Sequence, residues 1–240
     1  MEEKELKTSL KQRIIIGVIA FIMVGSMIAS YAAIVINGGK SNDSGSSSKI
    51  SDEVIAAYKA AYEEKLDAFK KGTKADYDRF MQYRSEAKAF NEESANSGDV
   101  QIKEIEVGTG QEITSEFTDY YAYYIGSCAD ESIFDSSLDD NDNPTAFSKA
   151  LDASLGMIDG WNIGVTGMKL GGIRRITIPG SKAYGDQLEI CGGYNKPLRF
   201  LVMVLPKEEP LKTLATEVDT AYMKLQYANN GIDYDSQMGE

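Results

Sequence analysis

The sequence predicts an α+β protein: an antiparallel β region flanked by α-helices, behind an N-terminal segment apolar enough to cross a membrane as a helix. Three observations carry this expectation. Residues 14–36, IIIGVIAFIMVGSMIASYAAIVI, run for 23 positions without a charge. Apolar residues between 51 and 93 recur at three and four, the period of a helix. From Val100 the period becomes two, the period of a strand, and the helical period returns only after Pro210.

In chain order, residues 1–13 form a tail with Lys4, Lys7, Lys11 and Arg13, while only Lys40 and Lys49 follow the apolar run closely. The excess of positive charge stays in the cytoplasm, so the bulk of the chain is expected outside the cell membrane, held by a single pass through it. "SYAA" is a poor cleavage site, which favours an uncleaved anchor at 14–36. Residues 37–50 are rich in Gly, Ser and Asn and read as a flexible linker. Ser51 can cap a helix with the stripe Ile55, Tyr58, Tyr62, Leu66 and Phe69, ending at Lys70-Lys71-Gly72. A second stripe, Phe80, Tyr83, Ala87 and Phe90, completes an expected helical hairpin over 51–95. DYYAYYI (119–125), GIRRITI (172–178) and LRFLVMVL (198–205) are strand patterns, with turns at Gly108-Thr109-Gly110 and Pro179-Gly180. Residues 207–240 read as a C-terminal helix through Leu214, Val218, Tyr222 and Leu225, stopping at Asn229-Asn230-Gly231, and a frayed tail.

Composition narrows the chemistry. A formal charge of −12 without a basic cluster argues against nucleic acid as a partner. There is no histidine, which removes histidine-based triads, histidine-metal sites and the commonest general base. DDNDN (139–143) resembles a calcium loop in composition but lacks the spaced Gly and closing Glu, so it reads as a solvated loop. No cofactor and no metal site is expected.

The only tryptophan sits in IDGWNIG (158–164), between glycines. Together "YYIG" (123–126), "FDSS" (134–137), "MIDGWNIGVTGMKLGG" (157–172), "ITIPGSKAYGD" (176–186) and "LRFLVMVL" (198–205) resemble, in order and spacing, the FKBP-type peptidyl-prolyl isomerases. The resemblance implies an FKBP-like domain over 97–206, a sheet of about five antiparallel strands wrapped around a short helix. It implies a pocket floored by Trp161 and walled by Tyr124, Phe134, Asp135, Ile158, Tyr184 and Phe200, with Met157, Phe147 and Ile190 contacting substrate. The Ile158 N–H and the Tyr184 hydroxyl would hold substrate carbonyls, and Asp135 would be a polar contact at the edge. Taken alone, Phe134, Ile158 and Phe200 fit an ordinary core equally well, and Asp135 fits a turn residue capping Ser137.

The implied activity is cis–trans isomerisation of X–Pro bonds in extracytoplasmic proteins. The alternative is a chaperone or binding module on the same fold with little turnover. Two departures bear on that choice: Thr145 follows Pro144 where the family has an aromatic, and ICGGYNKP (190–197) replaces an Ile-Pro-Pro-like loop. Cys128 follows the "YYIG" strand and Cys191 lies in that altered loop, so the pair is either a bridge stapling the loop or two buried thiols.

Alternation also sends Tyr121, Tyr123, Ile125, Leu201 and Met203 to the face opposite the pocket. Five large apolar or aromatic residues there need a cover. The helices of 51–93 and the C-terminal helix are the expected cover, and a second copy, making a homodimer, is the competing one.

Overall fold

Leu198–Pro206 form strand β5, and every residue through Leu205 is buried. A strand buried without alternation has both faces covered. A computed structural model describes residues 50–117, 119–145 and 157–238 and shows what covers each face. The strands β1 (Gln101–Glu106), β2 (Tyr120–Ser127), β3 (Ile133–Ser136), β4 (Ile173–Ile178) and β5 make one sheet in the order β1-β4-β5-β2-β3, antiparallel at every junction.

Register assigns the faces. Tyr124 pairs with Val202, and Phe200 pairs with Gly126 on one side and Ile176 on the other. These residues, with Tyr120, Ala122, Ile178 and Val204, share an inner face, where they enclose Trp161 and Val165 of a short helix, Asp159–Val165. The glycines around the tryptophan are explained by this packing. A Cβ on Gly160 would lie 2.1 Å from Ile178 Cγ2, and one on Gly164 would lie 2.4 Å from Ile176 Cγ2. Without side chains at these positions the helix lies directly on β4, which carries Trp161 to the bottom of the inner face. Arg174 pins the other end of the helix, donating to the carbonyls of Gly164 at 3.0 Å and Thr166 at 2.9 Å while its Nε bonds Glu104.

The outer face carries Tyr123, Ile125, Ile173, Leu201, Met203 and Leu205. It is covered by helix α1 (Asp52–Met81), through Phe69 and Phe80, and by the later helix Leu211–Asn229, through Ala215 and Val218. The expected docking of helices onto this face is therefore observed. Ser51 caps α1, accepting the Val54 N–H, with Asp52 and Glu53 in the first turn at the positive end of the helix dipole.

The helical hairpin expected over 51–95 is corrected. Helix α1 runs unbroken through Lys70-Lys71-Gly72 for 30 residues, followed by a 3-10 turn at Arg84–Glu86 and the short helix α2 (Glu92–Asn96). Gly72 is a contact and no stop: a Cβ there would lie 2.3 Å from Leu214 Cδ1. The helical pair exists, but between α1 and the C-terminal helix, which run antiparallel with Leu214 over Gly72, Glu217 facing Lys65 and Tyr222 facing Tyr62 at 5.6 Å. The helices are numbered accordingly α3 (Asp159–Val165), α4 (Leu211–Asn229) and α5 (Tyr234–Met238). Helix α5 replaces part of the frayed tail, with Tyr234 against Tyr227 and Asp235 paired with Lys224.

The tail, apolar run and linker at 1–49 lie outside the described residues, and so does Phe147. Among the described residues no helix is long and apolar enough to cross a membrane.

Candidate active site

Trp161 is fully buried in the first turn of α3, and its indole N–H donates to the Tyr120 hydroxyl at 2.9 Å. A buried indole needs such a partner. Tyr124 and Phe200 meet it edge-on, with ring centroids at 5.9 and 5.3 Å, and Phe134 on β3 meets Phe200 edge-on at 5.5 Å. Ile158 stands at the N-terminal boundary of α3, where the backbone N–H has no partner within the helix. Met157 and Ile190 pack at the margin of the same cluster, and Tyr184 is buried within it. Of the residues assigned to the pocket, the structure thus brings Tyr124, Phe134, Asp135, Ile158, Trp161, Tyr184, Phe200, Met157 and Ile190 to one end of the inner face.

Asp135 is the polar group of this apolar site. Half-buried on β3, it accepts from the Tyr124 hydroxyl at 3.0 Å. It does not cap Ser137, whose side chain instead bonds the Tyr124 backbone N–H at 2.9 Å. Burial pushes the Asp135 carboxyl up to about 7, against the opposing pull of the Tyr124 hydrogen bond and the Ser136 backbone. Burial, then the Asp135 charge, raises both the Tyr124 and Tyr184 phenols, so both remain protonated near neutrality. The site offers hydroxyl and amide donors among aromatic walls, with one carboxyl whose charge is costly.

The altered loop has its own rigidity. Ile190 and Gly193 exchange backbone hydrogen bonds of 2.9 and 3.2 Å across Cys191 and Gly192, both at positive φ, as in a primed hairpin turn. A Cys128–Cys191 disulfide, with Cα atoms 5.5 Å apart, ties this turn to the end of β2. Thr145 bonds Ser137 through both its amide and its hydroxyl. In the acidic loop, Asp139 accepts from the Asn141 and Asn143 amides, and Asp142 forms a two-bond pair with Arg84 at 2.8 and 3.0 Å. Among the described residues no group of three or more His, Cys, Asp or Glu is placed to hold a metal ion.

Residues 103–205 match the family model described as FKBP-type peptidyl-prolyl cis-trans isomerase. That stretch is an FKBP-type peptidyl-prolyl isomerase domain. The FK506-binding protein 4 of Neurospora crassa is 44% identical over 64 residues, which is 27% of this chain and 13% of the fungal protein. The match therefore spans about an eighth of that relative's length. Among solved structures, AtFKBP13 shares 26% identity over 45% of this chain and 93% of its own, with a TM-score of 0.35. A peptidyl-prolyl cis-trans isomerase from Pseudomonas syringae pv. tomato shares 23% over 56% of this chain and 94% of its own, with a TM-score of 0.37.

Tyr120, which accepts the Trp161 indole N–H, is the partner of the candidate pocket that the motifs do not name. The alternation that turns Tyr124 inward turns Tyr120 inward as well, so the signal was present in DYYAYYI.

Proposed function

We propose that the protein is a peptidyl-prolyl cis–trans isomerase that assists the folding of extracytoplasmic polypeptides by twisting their X–Pro bonds in the Trp161 pocket. The observation that carries this reading is the combination of a dry aromatic floor with donors at its margin. Trp161, Phe200 and Tyr124 are 0, 1 and 3% exposed, and Tyr184 and the Ile158 N–H stand beside them.

The reaction makes and breaks no covalent bond. An X–Pro amide must lose its resonance over a barrier of roughly 18–20 kcal/mol. The planar amide is the more polar form, so transfer from water into a pocket of aromatic rings costs the planar form more than the twisted one. Trp161 supplies the floor on which the proline ring rests. The Ile158 N–H and the Tyr184 hydroxyl hold the flanking carbonyls, fixing one side of the bond while the other turns. Asp135 accepts from the Tyr124 hydroxyl, orienting it, and gives the pocket edge a carboxyl acceptor. The uncharged run at 14–36 and the Cys128–Cys191 bridge support a place outside the cytoplasm, where disulfides persist.

The test is isomerisation of a short X–Pro peptide by the purified protein, followed by magnetisation exchange between the cis and trans signals. Acceleration by the wild type, reduced on replacing Trp161 by Phe or Tyr184 by Phe in a protein that stays folded, is the expected result. Binding of the peptide without acceleration would replace the isomerase by the binding-module reading.

A further inference from the structure

Tyr184 reaches the pocket from a loop, so something other than a strand or helix must hold it still. Four hydrogen bonds close a ring around its base. The Gly180 N–H donates to Asn96 Oδ1 at 2.8 Å, and the Gly180 carbonyl accepts the Gly185 N–H at 2.9 Å. The Gly185 carbonyl accepts the Asn195 N–H at 2.7 Å, and the Asn195 carbonyl accepts Asn96 Nδ2 at 3.2 Å. The Gly180 carbonyl also takes the Ala183 N–H at 3.1 Å, so both chain neighbours of Tyr184 are tied to one oxygen.

Asn96 is the only side chain in this ring. Its amide supplies, from two separate atoms, the acceptor and the donor that join two separate loops, a pair of roles that neither a carboxylate nor an ammonium group fills. It is itself well placed. It ends α2, whose first turn is capped by Asn91 accepting the Ser94 N–H at 2.7 Å, and the neighbouring Ala95 is buried. Ion pairs flank the ring, Lys182 with Asp99 at 2.6 Å and Lys196 with Glu92 at 2.7 Å, but such pairs at a surface contribute little.

We propose that Asn96, which precedes the family-matched stretch beginning at residue 103, is a positioning residue of the isomerase site that fixes the Tyr184 hydroxyl over the pocket. The proposal rests on the isomerase reading for its kinetic consequence only. The side chain lies at the surface, so removing it takes nothing from the core. A hydroxyl that must meet a substrate carbonyl loses its contribution when its loop drifts by a fraction of an ångström.

In the purified full chain, Asn96→Ala should lower kcat/KM on an X–Pro peptide on the order of 5–10-fold, chiefly through KM. In a Tyr184→Phe background the same change should cost nothing further, because the group it positions is already gone. Asn96→Asp, which keeps the acceptor for Gly180, should recover part of the loss. Independently of turnover, Asn96→Ala should shift the Tyr184 ring signals in NMR and speed exchange of the Gly180, Gly185 and Asn195 amides. If the wild type fails to isomerise the peptide, the isomerase reading falls, and the ring signals and amide exchange still decide the role of Asn96. An equal loss in the Tyr184→Phe background, or Tyr184 signals that do not move, would overturn the proposal.

Discussion

Tyr123 and Tyr124 are neighbours on β2 with the same side chain, yet one belongs to the covered face of the sheet and the other to the pocket. Tyr123 lies under α1, stacked on Phe80 at 5.8 Å and edge-on to Tyr77 at 6.2 Å. Tyr124 lies against Trp161, with its hydroxyl bonded to Asp135. Both faces are lined by aromatic and aliphatic residues, so composition does not separate a site from a core. The separation comes from what covers each face. Two long helices close the outer face, whereas the inner face is closed by a seven-residue helix and by loops that carry polar groups to its rim. The outer face should therefore govern stability and the inner face activity.

The sharpest way to break that comparison is to substitute each face's tyrosine in turn, with a charge on the covered face and the loss of a hydroxyl on the pocket face. Tyr123→Asp buries a carboxylate under α1, at a cost of roughly 3–5 kcal/mol, a large share of the stability of an ordinary domain. Tyr124→Phe removes one hydroxyl and should cost about 1 kcal/mol. Urea denaturation of the two variants measures the difference. Truncation to 97–206 should reproduce the Tyr123→Asp effect by stripping α1 and α4 from Tyr123, Ile125, Leu201 and Met203. A truncated domain with the melting temperature and solubility of the longer chain would show that the helices do not support the sheet.

The disulfide gives the next largest effect, and it belongs to the pocket side. It closes a loop between residues 63 positions apart. Reduction, or Cys128→Ser with Cys191→Ser, should cost about 2–4 kcal/mol, mainly by freeing the unfolded chain. The natively purified protein should titrate with no free thiol. Since Cys191 sits beside Ile190 at the pocket margin, the double variant should also weaken peptide binding, whereas Tyr123→Phe on the other face should leave it unchanged.

The two faces differ in how much of them could be read in advance. The alternation of β2 and β5 is a local property, so the assignment of Tyr124 and Phe200 inward and of Tyr123, Leu201 and Met203 outward was legible. Motif order made most of the pocket legible through resemblance. What remained hidden depends on contacts between distant segments. Lys70-Lys71-Gly72 looks like a helix end because the residue that makes use of Gly72 is Leu214, far along the chain. Asn96 carries no periodic signal, since a side-chain bond to two loop backbones leaves no pattern. The partner of the acidic loop left no local signal either, since Arg84, which pairs with Asp142, lies 58 residues earlier in the chain.

A third effect is carried by pH and confined to the inner face. The folded carboxyl of Asp135 titrates near 7, above the 3.8 of an unperturbed group. The folded state therefore holds this proton while the unfolded chain has released it, and the associated stability is present below about pH 4. It is lost as pH rises through about 7, roughly 1–3 kcal/mol in all. Asp135→Asn should flatten the dependence of stability on pH across that window. Carbon-detected NMR of the carboxyl should place the midpoint near 7, and Tyr124→Phe should move it higher, because the lost hydrogen bond had favoured the charged form. A midpoint near 4 would mean that water reaches Asp135 freely and that the pocket edge is wet.

The smallest effect tests the closure of the outer layer. Gly72 lies in the interior of α1, where replacing Gly by Ala ordinarily stabilises a helix by about 1 kcal/mol. Here the new methyl would begin 2.3 Å from Leu214 Cδ1, so α4 must yield. The atom it meets is the end of a flexible side chain, and Leu214 can rotate at a cost of roughly 0.5–1.5 kcal/mol. The two terms oppose each other, so Gly72→Ala should change stability by no more than about 0.5 kcal/mol in either direction. Gly160→Ala is the inner-face counterpart and cannot be relieved in the same way. Its Cβ would lie 2.1 Å from Ile178 Cγ2 and 3.1 Å from Ile178 Cβ, next to the strand itself. The α3 helix would have to lift, at a cost of about 1–3 kcal/mol, and Trp161 would lift with it. Gly160→Ala should thus lower peptide binding together with stability, whereas Gly72→Ala should leave binding unchanged. Equal effects of the two substitutions on binding would mean that α1 and α4 reach the pocket through the sheet, and the division of labour between its faces would fail.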